Sequence, residues 1–256
     1  MSTKTTSPIA VITGGSRGLG RSMALHLAEK GVNVVITYRE AEAQATDVIR
    51  AIEAAGAKGA ALRLDVAESA SFDAFASTLR NVLKERFASE RFDYLVNNAG
   101  TGAHASFEQT SEAQFDDLMK IHLKAPFFLT QKLLPLLADG GRVLNISSGL
   151  ARFTFVGSAA YATMKGGVEV LTRYLAKELA PRKITVNVLA PGAIETDFGG
   201  GRVRDNADLN RGIAAQTALG RVGLPDDIGS AVSLLLSKDS GWITGQRIEA
   251  SGGMLL

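Results

Sequence analysis

Short runs rich in Val, Ile and Leu alternate along this 256-residue chain with stretches of a dozen or more residues at helical spacing. That alternation constrains the fold more than any other feature. Residues 9–13, 32–37, 60–66, 92–97, 142–148 and 184–190 read as buried strands, and 243–249 as a last short one. Helical stretches fall at 18–30, 40–55, 69–87 and 158–180, with two more helices between 110 and 138. Strands separated by helices of a dozen or more residues read as βαβ units, which pair in parallel. Parallel sheets are covered on both faces, which fits strands apolar throughout rather than at alternate positions. The expected architecture is α/β, a doubly wound parallel sheet of about seven strands with helices on both faces. No linker, repeat or low-complexity block marks a boundary, so 1–256 reads as one domain, with 1–7 expected to be disordered. Residues 198–217 read as a substrate-side loop or lid, hinged at Gly199, Gly200 and Gly201.

Composition narrows the chemistry. The chain has no cysteine, which excludes disulfides, thiol nucleophiles and thiolate metal sites. Its three histidines, His26, His104 and His122, do not lie at metal-ligand spacing, and no metal is expected. A net charge of +2 is no nucleic-acid footprint. No apolar run approaches the roughly 20 residues of a membrane span, and the first residues lack the apolar core of a signal peptide. The expectation is a soluble, cytoplasmic protein without nucleic-acid or membrane partners.

Thr13, Gly14, Gly15, Ser16, Arg17, Gly18, Leu19 and Gly20 stand where the first strand gives way to the first helix. Glycine lets backbone approach a ligand closely, and a helix N-terminus offers free N–H groups to a pyrophosphate. The spacing T-G-x-x-x-G-x-G differs from the common dinucleotide fingerprint G-x-G-x-x-G. Further motifs follow in order: Asn97, Asn98, Ala99 and Gly100 after the fourth strand, Asn145 to Ser148 after the fifth, Tyr161 with Lys165, then Pro191, Gly192 and Thr196. In that order and spacing the chain resembles the short-chain dehydrogenase/reductase family, in its single-domain branch, over residues 9–253. The resemblance implies a Rossmann-type fold, a nicotinamide dinucleotide and hydride exchange between a ketone and a secondary alcohol.

Arg17 and Arg39 point to NADP(H), because two guanidinium groups can grip a 2′-phosphate. Tyr38 stands where NAD-preferring relatives carry an aspartate that repels that phosphate. Glu40 argues the other way. The resemblance places Gly14, Ser16, Gly18, Leu19 and Gly20 along the pyrophosphate, and Asp65 and Val66 at the adenine. It places Asn97, Ala99 and Gly100 along the adenosine ribose and nicotinamide side. Pro191, Gly192, Ile194 and Thr196 would meet the nicotinamide, and Asn98 and Asn145 read as structural.

Tyr161 and Lys165 are four apart and share a helix face. A lysine cation beside the phenol would lower its pKa, ordinarily about 10, so that Tyr161 serves as general acid/base. Ser148 would hydrogen-bond the substrate oxygen, and Lys165 also the nicotinamide ribose. Only one of Ser147 and Ser148 can face the site, since strand residues alternate. His122 replaces the family's usual asparagine and is a candidate for its place in a proton relay. The rival readings are an NAD-dependent alcohol dehydrogenase and a non-catalytic NADP(H)-sensing regulator.

Residues 123–137 are apolar around much of a helix, more than one domain can bury. With 158–180 they suggest a subunit interface, and the resemblance implies a homotetramer, with a homodimer as the simpler possibility. The substrate is expected to be a small carbonyl compound or alcohol, walled by 150–156 and 198–217 with Phe153, Phe155 and Phe198. Its class stays open among β-ketoacyl thioesters, sugars, steroids and xenobiotic ketones, and Arg152 could meet an anionic group.

Overall fold

The buried runs form the strands the alternation predicts. The computed structural model describes residues 7–256; the disorder expected at the N-terminus falls on 1–6, outside the described residues, and Ser7 is exposed. The elements run β1 (Ile9–Ile12), α1 (Gly18–Glu29), β2 (Asn33–Tyr38), α2 (Glu42–Ala54), β3 (Gly59–Arg63), α3 (Phe72–Phe87), β4 (Phe92–Asn97), α4 (Glu112–Met119), α5 (Ala125–Leu133), β5 (Leu137–Ile146), α6 (Ala159–Leu179), β6 (Thr185–Pro191), α7 (Arg202–Asp205), α8 (Ala207–Ala214), α9 (Pro225–Leu235) and β7 (Arg247–Ala250). Among the described residues seven strands form one sheet in the order β3-β2-β1-β4-β5-β6-β7, every pair parallel.

Successive residues of β1 serve opposite layers, as pleating requires. Ile9 and Val11 pack with Leu79, Leu129 and Leu179 of α3, α5 and α6. Ala10 and Ile12 pack with Leu27, Ile52 and Ile228 of α1, α2 and α9. Strand order reverses at β1, with β2 on one side and β4 on the other. Such a reversal opens a crevice at the carboxyl ends of the two strands.

Three expectations needed correction. Residues 198–217 are largely helical, in α7 and α8, with left-handed Gly199, Gly200 and Gly201 before them. Helix α9 was missed, although Pro225 begins it and Asp227 accepts from the Leu224 N–H at 2.7 Å. The two helices expected between 110 and 138 are one continuous path through a π-helical segment, Lys120–Lys124, which carries buried His122.

Candidate active site

The glycine turn after β1 is laced to its neighbours. Gly14 N–H donates to Thr37 Oγ1 at 3.2 Å, and Gly15 N–H to the Thr37 carbonyl at 2.9 Å. Asn98 Nδ2 donates to the carbonyls of Thr13 and Gly14 at 2.9 and 3.1 Å, so Asn98 is structural as expected. Side chains have no room in the turn. Gly14 is left-handed, and a Cβ there would lie 2.9 Å from Ala99 Cα. A Cβ on Gly20 would lie 2.2 Å from the Gly14 oxygen. Gly18 is also left-handed and faces Thr196 across the crevice. No acidic residue occupies the first turn of α1, and Arg17 at its N-cap makes no side-chain cap bond. The free N–H groups and helix dipole therefore suit a pyrophosphate, and the turn fits a dinucleotide.

At the end of β2, Tyr38 is half-buried, and burial with nearby Glu42 pushes its hydroxyl pKa up. Exposed Arg39 pairs with Glu40 at 3.2 Å. Arg63, which sequence reasoning missed, pairs in register with Tyr38 from β3 and donates to the Arg39 carbonyl at 3.2 Å. Three arginines, Arg17, Arg39 and Arg63, thus belong to loops and strand ends at this side of the crevice. Asp65 and Val66 lie beyond β3 rather than at its end. Asp65 Oδ1 accepts from Ala67 N–H at 2.9 Å, whereas Val66 shares a small cavity with Thr13, Asn97 and Ala99.

The Asn97 side chain turns away from the crevice. Its Nδ2 donates to Thr130 Oγ1 and Asn145 Oδ1 at 2.9 and 2.8 Å, and Asn145 Nδ2 donates to Thr172 Oγ1 at 2.9 Å. This buried chain ties β4 and β5 to α5 and α6. Ser16 is buried, and Leu19 packs into the α1 layer. Gly192 crosses Ser251 at a distance that admits no side chain. The side chain of Ile194 packs into the core, leaving its backbone beside the site. Thr196 Oγ1 accepts from Phe198 N–H at 3.2 Å.

Ser148, Tyr161 and Lys165 come together at the ends of β5 and α6. Ser148 lies beside the Tyr161 hydroxyl, while Ser147 turns the other way toward Glu169. Burial raises the Tyr161 pKa, and the nearby Ser148 hydroxyl only partly opposes it. Lys165 is buried, donates to the Ile146 carbonyl at 2.7 Å and is pushed down to about 7 by desolvation. Its Nζ lies 5.6 Å from the Tyr161 ring centroid. In the chain by itself, burial is the largest influence on the phenol, and Tyr161 carries its proton.

His122 stands edge-on to Tyr161, ring centroids 5.0 Å apart. Its Nε2 lies 2.8 Å from the Thr101 carbonyl and 3.3 Å from the Thr101 N–H, and the shorter contact assigns the proton to Nε2. Nδ1 is buried without a partner. Burial, then the Lys165 charge, holds the ring pKa at about 3. A ring relay needs Nδ1 to take a proton while Nε2 releases one, and the Thr101 carbonyl cannot keep it. The ring is neutral and packs on the Tyr161 phenol, an arrangement that does not favour the relay expected of it. Between its unfolded pKa of about 6.5 and its folded one, unfolding takes up a proton, so stability falls as pH drops. His122→Asn should remove about 2 kcal/mol of the stability lost from pH 7 to pH 5. Urea midpoints at the two pH values check this, and equal losses in both proteins would refute it.

The Phe198 ring lies 5.8 Å from that of Tyr161, and a Cβ on Gly102 would lie 2.8 Å from Gly199 Cα. The turn Phe198–Gly201 therefore packs against the loop after β4. Arg152 pairs with Glu249 at 3.4 Å and lies over the Phe153 ring.

Comparison with known proteins agrees with this geometry. The family model described as enoyl-(acyl carrier protein) reductase matches residues 14–255. A hydroxynaphthalene reductase-like protein of Metarhizium brunneum is 34% identical, over 96% of this chain and 94% of that protein. The promiscuous reductase LugOII, which catalyses keto-reduction at C1 during lugdunomycin biosynthesis, superimposes with a TM-score of 0.93 at 37% identity, covering 99% of this chain and all of that one (100%). The angucycline C-6 ketoreductase LanV, crystallised with NADP, superimposes with a TM-score of 0.92 at 33% identity, covering 98% and 96%. With its glycine turn, its Ser148–Tyr161–Lys165 cluster and these relatives, the chain belongs to the short-chain dehydrogenase/reductase family of oxidoreductases.

Proposed function

We propose that this protein is an NADP(H)-dependent ketoreductase acting on planar, polycyclic aromatic ketones. The observation that carries the reading is the buried Tyr161 phenol beside Ser148, one helical turn from the buried Lys165 at the crevice edge. The bound nicotinamide supplies the hydride. Ser148 holds the ketone oxygen, and Tyr161 gives it a proton as negative charge develops there. Lys165, seated by the Ile146 carbonyl, stabilises the phenolate that remains and holds the nicotinamide ribose. Ala99, Gly100, Pro191, Gly192 and the backbone of Ile194 would border the ring, and Thr196 would meet the carboxamide.

Aromatic substrates are supported by the Phe198 ring over Tyr161 and by the relatives, among them LanV with NADP and rabelomycin. Gly199–Gly201 hinge the lid that admits them. Uncovered aromatic side chains on α5 and α6, Phe127 at 46% and Tyr174 at 65% exposure, support a homotetramer. Among the described residues no helix is long and apolar enough to cross a membrane, and we place the enzyme in the cytoplasm.

The 2′-phosphate is assigned to Arg17 and Arg39, with Arg63 close by. Replacing Arg17 and Arg39 together by alanine should weaken NADPH binding about 100-fold and NADH binding less than threefold. Titration of both cofactors, with turnover of a naphthol-type or anthracycline-type ketone, tests the proposal. Equal losses for NADPH and NADH, or wild-type preference for NADH, would overturn the assignment.

A further inference from the structure

The four-residue spacing of Tyr161 and Lys165 continues to Glu169, so α6 carries a third polar side chain along this stripe. The chemistry above makes no use of it. Glu169 Oε1 accepts two hydrogen bonds, from Ser147 Oγ at 2.7 Å and from Arg247 Nε at 2.8 Å. Ser147 Oγ also lies 3.5 Å from the Lys165 carbonyl, but its single proton goes to the shorter, charge-assisted contact.

Ser147 occupies a position of leverage. It stands between Ile146, whose carbonyl seats Lys165 Nζ, and Ser148, which lies beside the Tyr161 hydroxyl. Its own N–H donates to the Leu189 carbonyl at 2.7 Å. With N–H and Oγ both fixed, the peptide groups on either side have one orientation. That orientation aims the Ile146 carbonyl at the lysine and the Ser148 hydroxyl at the phenol.

The ion pair behind Ser147 is costly if stability is its only role. Glu169 and Arg247 are 15% and 21% exposed, and Arg247 Nη2 is buried without a partner. A largely buried pair seldom outperforms packed apolar side chains, and an orphaned donor adds to its cost. Arg247 lies on β7 and also donates to Glu249 at 2.8 Å, so it reaches Glu169 from a different element.

We infer that Glu169, held by Arg247, is a positioning residue for the reaction. It fixes Ser147 and, through it, both the seat of Lys165 and the aim of Ser148. The inference rests on the catalytic reading of Ser148, Tyr161 and Lys165.

Two variants test it independently. Ser147→Ala removes the hydroxyl alone, and Glu169→Leu with Arg247→Leu removes the pair without leaving an unpaired charge. Each should lower kcat about ten- to a hundredfold, with KM for the ketone changed less than threefold. The deuterium isotope effect with C4-deuterated NADPH should rise, because hydride transfer becomes more rate-limiting. Glu169→Gln, which keeps an acceptor for Ser147, should recover kcat to within about threefold of wild type. Tyr161→Phe is measured alongside. If it is inactive while folded Ser147→Ala keeps wild-type kcat and isotope effect, the positioning role is refuted and the catalytic reading stands. If Tyr161→Phe itself keeps wild-type turnover, the catalytic reading fails and the inference falls with it.

Discussion

Tyr161→Phe is expected to lower kcat/KM for ketone reduction by about 10³-fold while NADPH affinity stays within twofold. The argument is local. Tyr161 is the acid placed beside Ser148, and no other titratable side chain at the site can supply the proton. His122 is neutral with its one ring proton bonded to Thr101, and Lys165 is turned to the Ile146 carbonyl. The variant keeps the aromatic ring, so its edge contact with His122 and its packing against Phe198 persist. Only the hydroxyl beside Ser148 is lost, and Ser148 still accepts from the Leu150 N–H at 3.2 Å. Stability should therefore change by no more than about 1 kcal/mol. Steady-state kinetics with a cofactor titration separates the two quantities; a tenfold loss of NADPH affinity would mean that the phenol binds rather than reacts.

Lys165→Met is expected to move activity and stability in opposite directions. The buried cation has a pKa of about 7, far below the usual lysine value, because burial disfavours its charge. Below pH 7 folded and unfolded states both carry the proton, and the folded state bears the full cost of burying it. Between pH 7 and about 10.5 the folded state sheds the proton while the unfolded state keeps it, so stability rises with pH through that window. Methionine fills similar space without the charge. The cofactor-free variant should melt about 4 °C or more above the parent at pH 6.5, a gap that narrows toward pH 10. Its kcat/KM should fall by about 10²-fold or more, since nothing else seats the ribose or stabilises the phenolate. Melting curves at both pH values and initial rates check the pair; a variant less stable at pH 6.5 would show that the cation is held by more than the Ile146 carbonyl.

Much of this was legible in the chain, for identifiable reasons. Strands such as Asn33–Tyr38 are buried on both faces, so apolar runs mark them without periodicity. The glycine turn was legible because close backbone approach leaves only glycine at Gly14 and Gly20. Helix α9 was missed because Gly220 and Gly223 precede it in a stretch that reads as loop, although Pro225 and Asp227 carry a start signal. The lid was read as irregular from its three glycines, whereas Asn206 caps α8 by accepting from Leu209 N–H at 2.9 Å.

What the sequence hid depends on contacts distant along the chain. Asn97 bonds Thr130 and Asn145, partners 33 and 48 residues away, contacts that its identity alone does not reveal. The spacing of Ser148 to Tyr161 singled it out over Ser147, and Ser147 indeed turns away to bond Glu169. The tautomer of His122 is set by the Thr101 carbonyl, 21 residues upstream. Arg63 lies beside Tyr38 only because β3 pairs with β2 in that register.

The central claim is direct hydride transfer to a ketone carbon with Tyr161 as the acid. It is tested most directly by mass spectrometry of the alcohol formed from an aromatic ketone and NADPH deuterated at both C4 positions. One deuterium on the carbinol carbon, lost together with turnover in Tyr161→Phe, is the predicted result. Deuterium on a neighbouring carbon, or product formed without label, would contradict it.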